Sequence, residues 1–499
     1  MLTVTDLFCG AGGSSQGAHA VPGVEVVLAA NHWQLAVDTH AANFPAVAHD
    51  IANISQADPR RYTRTNILWA SPECTNHSVA KGRRRDADTQ PDLFGEVLPD
   101  EAAVRSRSTM WDVPRFAEHH RYDAVVVENV VDAARWVMWP AWLQAMTLLG
   151  YAHRTVWLNS MHAPAMAAPR APQSRDRLYV VFWRRGNPAP DLDVRPAARC
   201  GGCDAEVAAV QWWKRPDVRW GRYRAQYLYR CPTCHTVVEP YALPAAAAID
   251  WALPGRRIGD RGKPLRPATL ARIEAGLRRY AHPTAGSATG SPAGMLVPGG
   301  GTWRTTAAPL TEPMPTRTTR ETDALVVPVE ARGGADRRVR TTGEPLRTQT
   351  ARLEDALVVP YYGQATTAQP SDWPLPTVTT VDGAGLAFIA ELRGGGSTHR
   401  PVTQPLATVT ASGQHHMLIR PDIPPPAPAP PAVEDCAFRM LTPGEIQTAM
   451  AFHHDYRVLG NRREQVRQLG NAVTPPAAEW LLTAIANSLH NQADHREAA

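Results

Sequence analysis

The chain has 499 residues, of which 44% are hydrophobic and 20% are charged, with a formal net charge of +5. This length predicts more than one folded unit, because single hydrophobic cores stop growing near 250–300 residues. No apolar run approaches the roughly 20 residues of a membrane-spanning helix, the N-terminus lacks a secretory pattern, and the seven cysteines do not resemble a disulfide scaffold. We therefore expect a cytoplasmic protein without a membrane partner, whose slight basic excess permits a nucleic-acid partner without requiring one.

The first 185 residues alternate short apolar runs with helical patterns, which is typical of a parallel α/β sheet. A glycine loop, Cys9-Gly10-Ala11-Gly12-Gly13, follows the first predicted strand, and Ser14 or Ser15 is the expected cap of the next helix. The polar stretch 81–107 is expected to be a mobile loop. The predicted elements are strands over 3–8, 25–31, 67–71, 123–130, 153–160 and 177–183, and helices over 33–44 and 140–150.

Beyond residue 195 the composition changes, beginning with two Cys-x-x-Cys pairs. Cys200 and Cys203 precede Cys231 and Cys234 by a spacing that fits a structural four-thiolate Zn²⁺ site, although His235 could replace one cysteine. Arginines and aromatic residues alternate between the pairs, which suits either contact with phosphates and stacked bases or a solvated basic face.

A helix is predicted over 267–280, and four related segments follow it, beginning at Pro313, Pro345, Pro374 and Pro405. Each segment has a threonine-rich stretch, a polar turn and an apolar run, which predicts a β-hairpin-like module. Arginines recur in the segments and could read base edges, but the array could equally be a spacer or a protein-contact surface. A proline-rich linker over 424–431 precedes a compact helical segment that starts near residue 438 and must rejoin a core.

Three features of the first half indicate a ligand site. A glycine loop between a strand and a helix lets a nucleotide-like ligand approach the backbone, although it can also be only a tight turn. Cys74 follows one buried strand, where it is either a nucleophile or a buried packing residue. Glu128 ends the run of valines in another strand, where an idle carboxylate would be costly.

These features occur together, in order, in one family. Asp6-Leu-Phe-Cys-Gly-Ala-Gly-Gly13, the Pro-x-Cys loop of Cys74, Glu128-Asn-Val130, Gln173-x-Arg-x-Arg177, Arg439-Met-Leu-Thr-Pro-Gly-Glu445 and Gly470-Asn-Ala-Val-Thr-Pro475 closely resemble the C5-cytosine DNA methyltransferases. The resemblance covers about half of the chain. It implies a Rossmann-like doubly wound sheet, the S-adenosylmethionine-dependent methyltransferase fold, with an inserted zinc-ribbon and β-rich repeat region. The expected domains are the catalytic domain 1–190, the zinc ribbon 195–240, the target-recognition region 241–430, and the segment 433–499 that completes the catalytic domain.

The resemblance also implies a reaction, in which a methyl group passes from S-adenosylmethionine to C5 of a cytosine flipped out of duplex DNA. Cys74 would attack C6 and Glu128 would hold N3 and the amino group. Arg177 would contact the base oxygen and orient Glu128, with Arg175 in support. The residues implied at the cofactor are Phe8, Gly10, Gly12, Trp33, Asp50, Ile51 and Asn471.

Two residues depart from the family pattern. Glu73 replaces the second proline before the nucleophile, and His32 replaces the acidic residue before the cofactor tryptophan. The alternatives are therefore transfer of a different group to cytosine, or a catalytically silent DNA-binding protein; a transfer-RNA substrate is disfavoured. The resemblance further implies a monomer in a bacterium or a phage-infected host, with a cognate restriction endonuclease as a candidate partner in a restriction-modification system.

Overall fold

The computed structural model describes residues 1–73, 101–253, 255–280, 295–298, 306–315, 323–328 and 432–497, together with short strand segments at 90–91, 97–98, 359–360, 384–385, 388–391, 398–401 and 416–419. The helices are α1 (Gly13–His19), α2 (Gln34–Asn43), α3 (Glu101–His120), α4 (Trp139–Leu148), α5 (Pro267–Tyr280), α6 (Pro443–Ala449), α7 (Arg462–Asn471) and α8 (Pro475–Glu497). None of these described helices is both long and apolar enough to cross a bilayer.

The strands of the first 190 residues are β1 (Leu2–Leu7), β2 (Val24–Asn31), β3 (Ala48–Ile51), β4 (Ile67–Ala70), β5 (Gln90–Pro91), β6 (Val97–Leu98), β7 (Ala124–Asn129), β8 (Tyr151–Asn159), β9 (Gln173–Ser174) and β10 (Asp176–Arg184). Seven of them form one sheet in the order β3-β2-β1-β4-β7-β10-β8. The first five strands of this order are parallel, and β10 is antiparallel to both of its neighbours. The order reverses between β1 and β4, so the predicted Rossmann-like, doubly wound sheet is confirmed, and a ligand cleft is expected at that reversal.

Burial explains why the central strands have uninterrupted apolar sequences. Every residue of β4 and of β7 is buried, as a parallel strand covered on both faces requires. The predicted strands and helices of this region agree with the observed bounds to within two residues.

The prediction of a loop over 81–107 is wrong from Glu101, where α3 begins. The polar character of residues 101–107 hid this start, whereas the buried Met110, Val113, Phe116 and Ala117 follow helical spacing farther along. Residues 81–89, 92–96 and 99–100 lie outside the described residues.

The C-terminal segment packs against the first helix of the sheet. Leu481, Leu482 and Ile485 of α8 belong to the same hydrophobic core as the central strands. The Tyr456 hydroxyl donates to the carbonyl of Ala11 over 2.5 Å. The Glu479 carboxylate accepts the backbone N–H groups of residues 166, 167 and 168 at 2.8, 2.8 and 2.6 Å. Residues separated by more than 300 positions are therefore held in one core.

The strands that follow residue 190 form several smaller sheets. These strands are β11 (Ala197–Cys200), β12 (Ala205–Ala208), β13 (Val210–Trp213), β14 (Tyr227–Arg230), β15 (Val237–Val238), β16 (Arg256–Arg257), β17 (Met295–Pro298), β18 (Ala308–Pro309), β19 (Met314–Pro315), β20 (Asp323–Pro328), β21 (Val359–Pro360), β22 (Ala384–Gly385), β23 (Phe388–Glu391), β24 (Thr398–Pro401), β25 (His416–Ile419) and β26 (Cys436–Met440).

One of these sheets, in the order β16-β26-β20-β17-β18, pairs the first repeat with the C-terminal segment, because β20 and β26 are antiparallel neighbours. The repeat starts Pro345, Pro374 and Pro405 and the linker 424–431 lie outside the described residues.

Candidate active site

A cleft opens where β1, β4 and β7 end, at the reversal of the strand order. It brings together seven residues that the sequence analysis assigned to the site: Phe8, Gly10, Trp33, Glu128, Arg175, Arg177 and Asn471. Gly12, Asp50 and Ile51 are not among the residues that line it. Cys74 lies outside the described residues, which reach Glu73 on this segment.

The glycine loop turns sharply at the end of β1. Phe8 and Gly10 have φ angles of 60° and 53°. A Cβ atom placed on Gly10 would have no neighbour nearer than the Phe8 carbonyl oxygen at 3.9 Å, so this side of the loop is open to the cleft. A Cβ on Gly12 would instead lie 2.4 Å from the Tyr456 hydroxyl. Gly10 therefore leaves room for a ligand to approach the backbone, as a bound nucleoside cofactor requires, whereas Gly12 makes room for the C-terminal segment.

The two serines after the loop stabilise it through a buried carboxylate and do not cap the helix. Gly12 occupies the N-cap position of α1, so the capping prediction is wrong. The Ser14 and Ser15 hydroxyls donate to one oxygen of Asp6 at 2.6 and 2.7 Å. Burial raises the pKa of Asp6 to about 6, against the lowering effect of both hydroxyls.

His40 continues this buried network. Its Nε2 lies 2.8 Å from the Ser15 hydroxyl and its Nδ1 lies 2.8 Å from Nε2 of His49. Burial, reinforced by His49, lowers the pKa of His40 to about 3. His40 is therefore a neutral hydrogen-bonding residue of the core.

Trp33 is the N-cap residue of α2 and lines the cleft. The backbone N–H of Trp33 donates to Oδ1 of Asn31 over 3.0 Å. The guanidinium carbon of Arg467 lies 4.5 Å from the centroid of the indole, so one face of the ring is covered by a cation. The sequence analysis did not identify Arg467, whose contact joins residues more than 400 positions apart.

The carboxylate of Asp50 has hydrogen-bond donors within the protein. Its carboxylate accepts from the Tyr62 hydroxyl at 2.6 Å and lies 3.5 Å from the guanidinium of Arg61. Ile51, the next residue, is half exposed.

Glu128 and Arg177, which also line the cleft, form an ion pair. Antiparallel pairing of β10 with β7 places Tyr179 opposite Glu128, and Nε of Arg177 lies 2.9 Å from Oε1 of Glu128. Burial raises the pKa of Glu128, although Arg177 and Arg175 oppose this change. The carboxyl group is therefore held in place and keeps a proton more readily than an exposed glutamate.

Arg175 connects the sheet to the C-terminal segment. Its buried guanidinium donates to the carbonyl oxygens of Gly470 and Ala472 at 3.1 and 2.9 Å, on either side of Asn471. Its backbone N–H donates to Oδ1 of Asn159. Arg175 thus positions Asn471 in the cleft.

Asn129 supports the segment that leads to Cys74. Its side-chain amide lies 3.3 Å from the carbonyl oxygen of Pro72, to which it donates. The end of β7 therefore fixes both Glu128 and the backbone two residues before the predicted nucleophile.

The four predicted zinc ligands come together outside the cleft. The sulfur of Cys200 lies 3.4 Å from that of Cys234, and the sulfurs of Cys203 and Cys231 are 3.8 Å apart. All four sulfurs lie within 4.8 Å of one another. Tetrahedral zinc with bonds of about 2.3 Å spaces its sulfur ligands by roughly 3.8 Å, so this donor set fits the ion. His235 is not part of the cluster.

The aromatic residues between the cysteine pairs mostly pack inward. Tyr227 and Tyr229 are fully buried, and the backbone N–H of Tyr223 donates to Asp176 over 3.0 Å. The indole N–H of Trp220 donates to the Val131 carbonyl over 3.0 Å. Trp212 remains exposed, with the guanidinium of Arg230 stacked 4.4 Å from its ring. Base stacking, one of the two interpretations of these aromatic residues, is therefore wrong for the buried tyrosines, which belong to the same hydrophobic core as the seven-stranded sheet.

Comparison with known proteins identifies the N-terminal part of the chain. Residues 2–198 match the family model of the C-5 cytosine-specific DNA methylases. A curated relative, the type II methyltransferase M.AgeI of Thalassovita gelatinovora, is 26% identical over 186 residues, or 35% of this chain. The chain matches 38% of that relative's length.

Two solved structures resemble the whole chain more distantly. A mutant DNMT2 of Spodoptera frugiperda is 12% identical with a TM-score of 0.46, over 97% of this chain and 100% of its own. The Entamoeba histolytica methyltransferase EhMeth is 10% identical with a TM-score of 0.42, over 98% of this chain and 99% of its own.

Proposed function

We propose that this chain, whose residues 2–198 belong to the C-5 cytosine-specific DNA methylase family, transfers a methyl group from S-adenosylmethionine to C5 of a cytosine flipped out of duplex DNA. The observation that carries the proposal is that one cleft is lined both by the open glycine loop with Trp33 and by the Glu128–Arg177 pair. A nucleoside cofactor and a pyrimidine ring can therefore meet in it.

The residues of the cleft divide the chemistry between them. S-adenosylmethionine supplies an electrophilic methyl group when bound. The Cys74 thiolate adds to C6 of the cytosine, while Glu128 holds N3 and delivers a proton to it, which makes C5 nucleophilic. Arg177 fixes the orientation of the Glu128 carboxyl group and contacts the base oxygen. After methyl transfer, loss of the C5 proton to solvent, return of the N3 proton to the Glu128 carboxylate and departure of the Cys74 thiolate restore the aromatic ring. Extrusion of the base costs a few kcal/mol, which contacts with the DNA must offset.

The zinc ribbon has a supporting role in this proposal. Zn²⁺ bound by Cys200, Cys203, Cys231 and Cys234 would fix a short segment with little core of its own. This segment contacts the catalytic sheet through Tyr223 at Asp176, directly beside Arg177. A stable ribbon therefore helps to hold the strand that carries the cytosine-binding arginine.

The proposal extends to the organisation of the chain. Residues 1–190 and 433–499 form the catalytic domain, 195–240 the ribbon and 241–430 the target-recognition region. The contacts of Glu479, Tyr456 and Arg175 across the insert support this division. We further propose a monomer that acts on duplex DNA in the bacterial cytoplasm; co-purification with a neighbouring endonuclease would test whether it has a restriction partner.

The decisive experiment measures transfer of labelled methyl groups to duplex DNA, with bisulfite sequencing to locate the product. We expect Cys74→Ser to abolish incorporation and Glu128→Gln to reduce it by about 10²-fold or more, the usual contribution of a general acid. Cys436→Ser is the matched control, because Cys436 is a buried cysteine of another sheet. DNA containing 5-fluorocytosine should trap the wild type covalently and leave Cys74→Ser free. No incorporation by the wild type, or equal incorporation by Cys74→Ser, would refute the proposal, and mass spectrometry of digested DNA identifies the group transferred.

A further inference from the structure

The two residues that depart from the family pattern face each other across the cleft. His32 follows the end of β2, and Glu73 follows the end of β4. Nδ1 of His32 lies 3.6 Å from Oε1 of Glu73, and both side chains line the cleft beside Trp33. Their side chains are 54% and 40% exposed, so both remain accessible to a ligand. Two positions that appeared unrelated in the sequence are therefore one local feature of the site.

Glu73 differs from the other carboxylates near the cleft in its availability. Glu128 is bound by Arg177 and is only a tenth exposed, and Asp50 accepts from Tyr62. The contact of Glu73 with His32 is longer than a hydrogen bond. Within the described part of the cleft, Glu73 therefore offers a carboxylate whose oxygens can accept hydrogen bonds from a ligand.

The position of Glu73 indicates which group of a ligand its carboxylate can bind. Trp33 lines the cleft with an aromatic ring on which a planar group can stack, and Arg467 lies over one of its two faces. Because His32 directly precedes Trp33, the sugar of a nucleoside stacked on the indole would lie near the His32–Glu73 pair. Two carboxylate oxygens match the two adjacent hydroxyls of a ribose, and charged acceptors form the stronger class of hydrogen bond.

We propose that Glu73, oriented by His32, binds the 2′- and 3′-hydroxyls of the ribose of S-adenosylmethionine. This inference rests on the proposed function and assigns to Glu73 a contact with both ribose hydroxyls, for which its two carboxylate oxygens provide the acceptors. It also explains why an acid can stand next to Cys74, since its charge is directed to the cofactor and to His32. Recognition of the ribose and the predicted nucleophile are then adjacent positions of one short segment.

Isothermal titration of the full-length protein with S-adenosylhomocysteine and with its 2′,3′-dideoxy analogue tests this assignment. We expect Glu73→Gln to weaken binding of S-adenosylhomocysteine about tenfold, the effect of losing roughly one net charged hydrogen bond, and to leave binding of the analogue unchanged. Glu25→Gln, an exposed glutamate of β2 outside the cleft, is the matched control and should change neither affinity.

The two ligands separate the possible results. Unchanged binding of S-adenosylhomocysteine by Glu73→Gln, or equal weakening of both ligands, would overturn the ribose assignment while leaving the proposed function intact. Failure of the wild type to bind S-adenosylhomocysteine would instead refute the proposed function, and this assignment with it. Thermal unfolding of each variant provides the check on folding, and little change is expected because Glu73 is well exposed.

Discussion

Replacing Gly17 with alanine tests the contact between α1 and α8, on which the assembly of the catalytic sheet with the C-terminal segment depends. A Cβ atom at residue 17 would lie 2.5 Å from the Pro475 carbonyl oxygen, 2.6 Å from the Ala478 Cβ and 2.8 Å from the Glu479 backbone nitrogen. Two of these three atoms belong to the backbone, so no side-chain rotation can relieve the clash. The two helices must move apart.

Two opposing contributions decide whether Gly17→Ala stabilises or destabilises the folded protein. In a helix without such neighbours, Gly→Ala stabilises by about 1 kcal/mol through helix propensity. Overpacking a close contact costs about 1–3 kcal/mol. Because the clash is with backbone, we expect the upper part of that range and a net destabilisation of about 1–2 kcal/mol for Gly17→Ala.

Gly444→Ala provides the matched control for this substitution. Gly444 lies in α6, and a Cβ there would meet nothing nearer than the Thr442 hydroxyl oxygen at 3.9 Å. This variant should be as stable as the wild type or slightly more stable. Urea unfolding would give the overall change, and hydrogen exchange of the peptides covering α1 and α8 would locate it. A stabilising Gly17→Ala, or faster exchange confined to other regions, would show that the two helices do not pack as described.

Two further predictions concern a buried carboxylate and the zinc cluster. Burial raises the pKa of Asp6 from 3.8 to about 6, so the folded state favours the protonated form, and the stability that this form provides is lost as the pH rises through that interval. Asp6→Asn should remove this pH dependence, which urea unfolding of the wild type and of the variant between pH 4 and pH 7 would measure. If the difference in unfolding free energy between the two proteins stayed constant over this pH range, the burial argument would be contradicted. Elemental analysis should find about one zinc ion per chain in the purified wild type and much less zinc in the Cys234→Ser variant. Equal zinc contents in the two proteins would exclude the four-sulfur site.

The sequence predicts the central sheet because burial imposes its own pattern. Strands such as β7, covered on both faces, have uninterrupted apolar sequences, and the glycine loop marks a turn where the backbone bends sharply at the edge of the cleft. The position of β10 between β7 and β8 has no comparable signal, since antiparallel insertion depends on pairing between strands and not on local composition.

Contacts between distant residues account for what the sequence analysis missed. The role of Arg175 depends on carbonyl groups 295 and 297 positions away, and no local motif specifies a backbone acceptor. An aromatic-rich sequence such as that of the ribbon is typical of a base-stacking surface. The same aromatic rings and hydroxyl groups can equally be buried in a contact with another part of the chain. Only the tertiary structure shows that Tyr227 and Tyr229 are buried.

The same distant contacts explain how the long segment between β10 and β26 can separate two parts of one hydrophobic core without disturbing the cleft. The cost of closing a loop grows only with the logarithm of its length, so doubling an insert costs about 0.6 kcal/mol. The bonds that close this loop include three backbone donors on the Glu479 carboxylate and two carbonyls on Arg175, and bonds to charged groups contribute about 1.5–3 kcal/mol each. These anchors exceed the added entropic cost of a longer insert by several-fold. The region between β10 and β26 can therefore change in length while Glu128, Arg177 and Asn471 keep their positions.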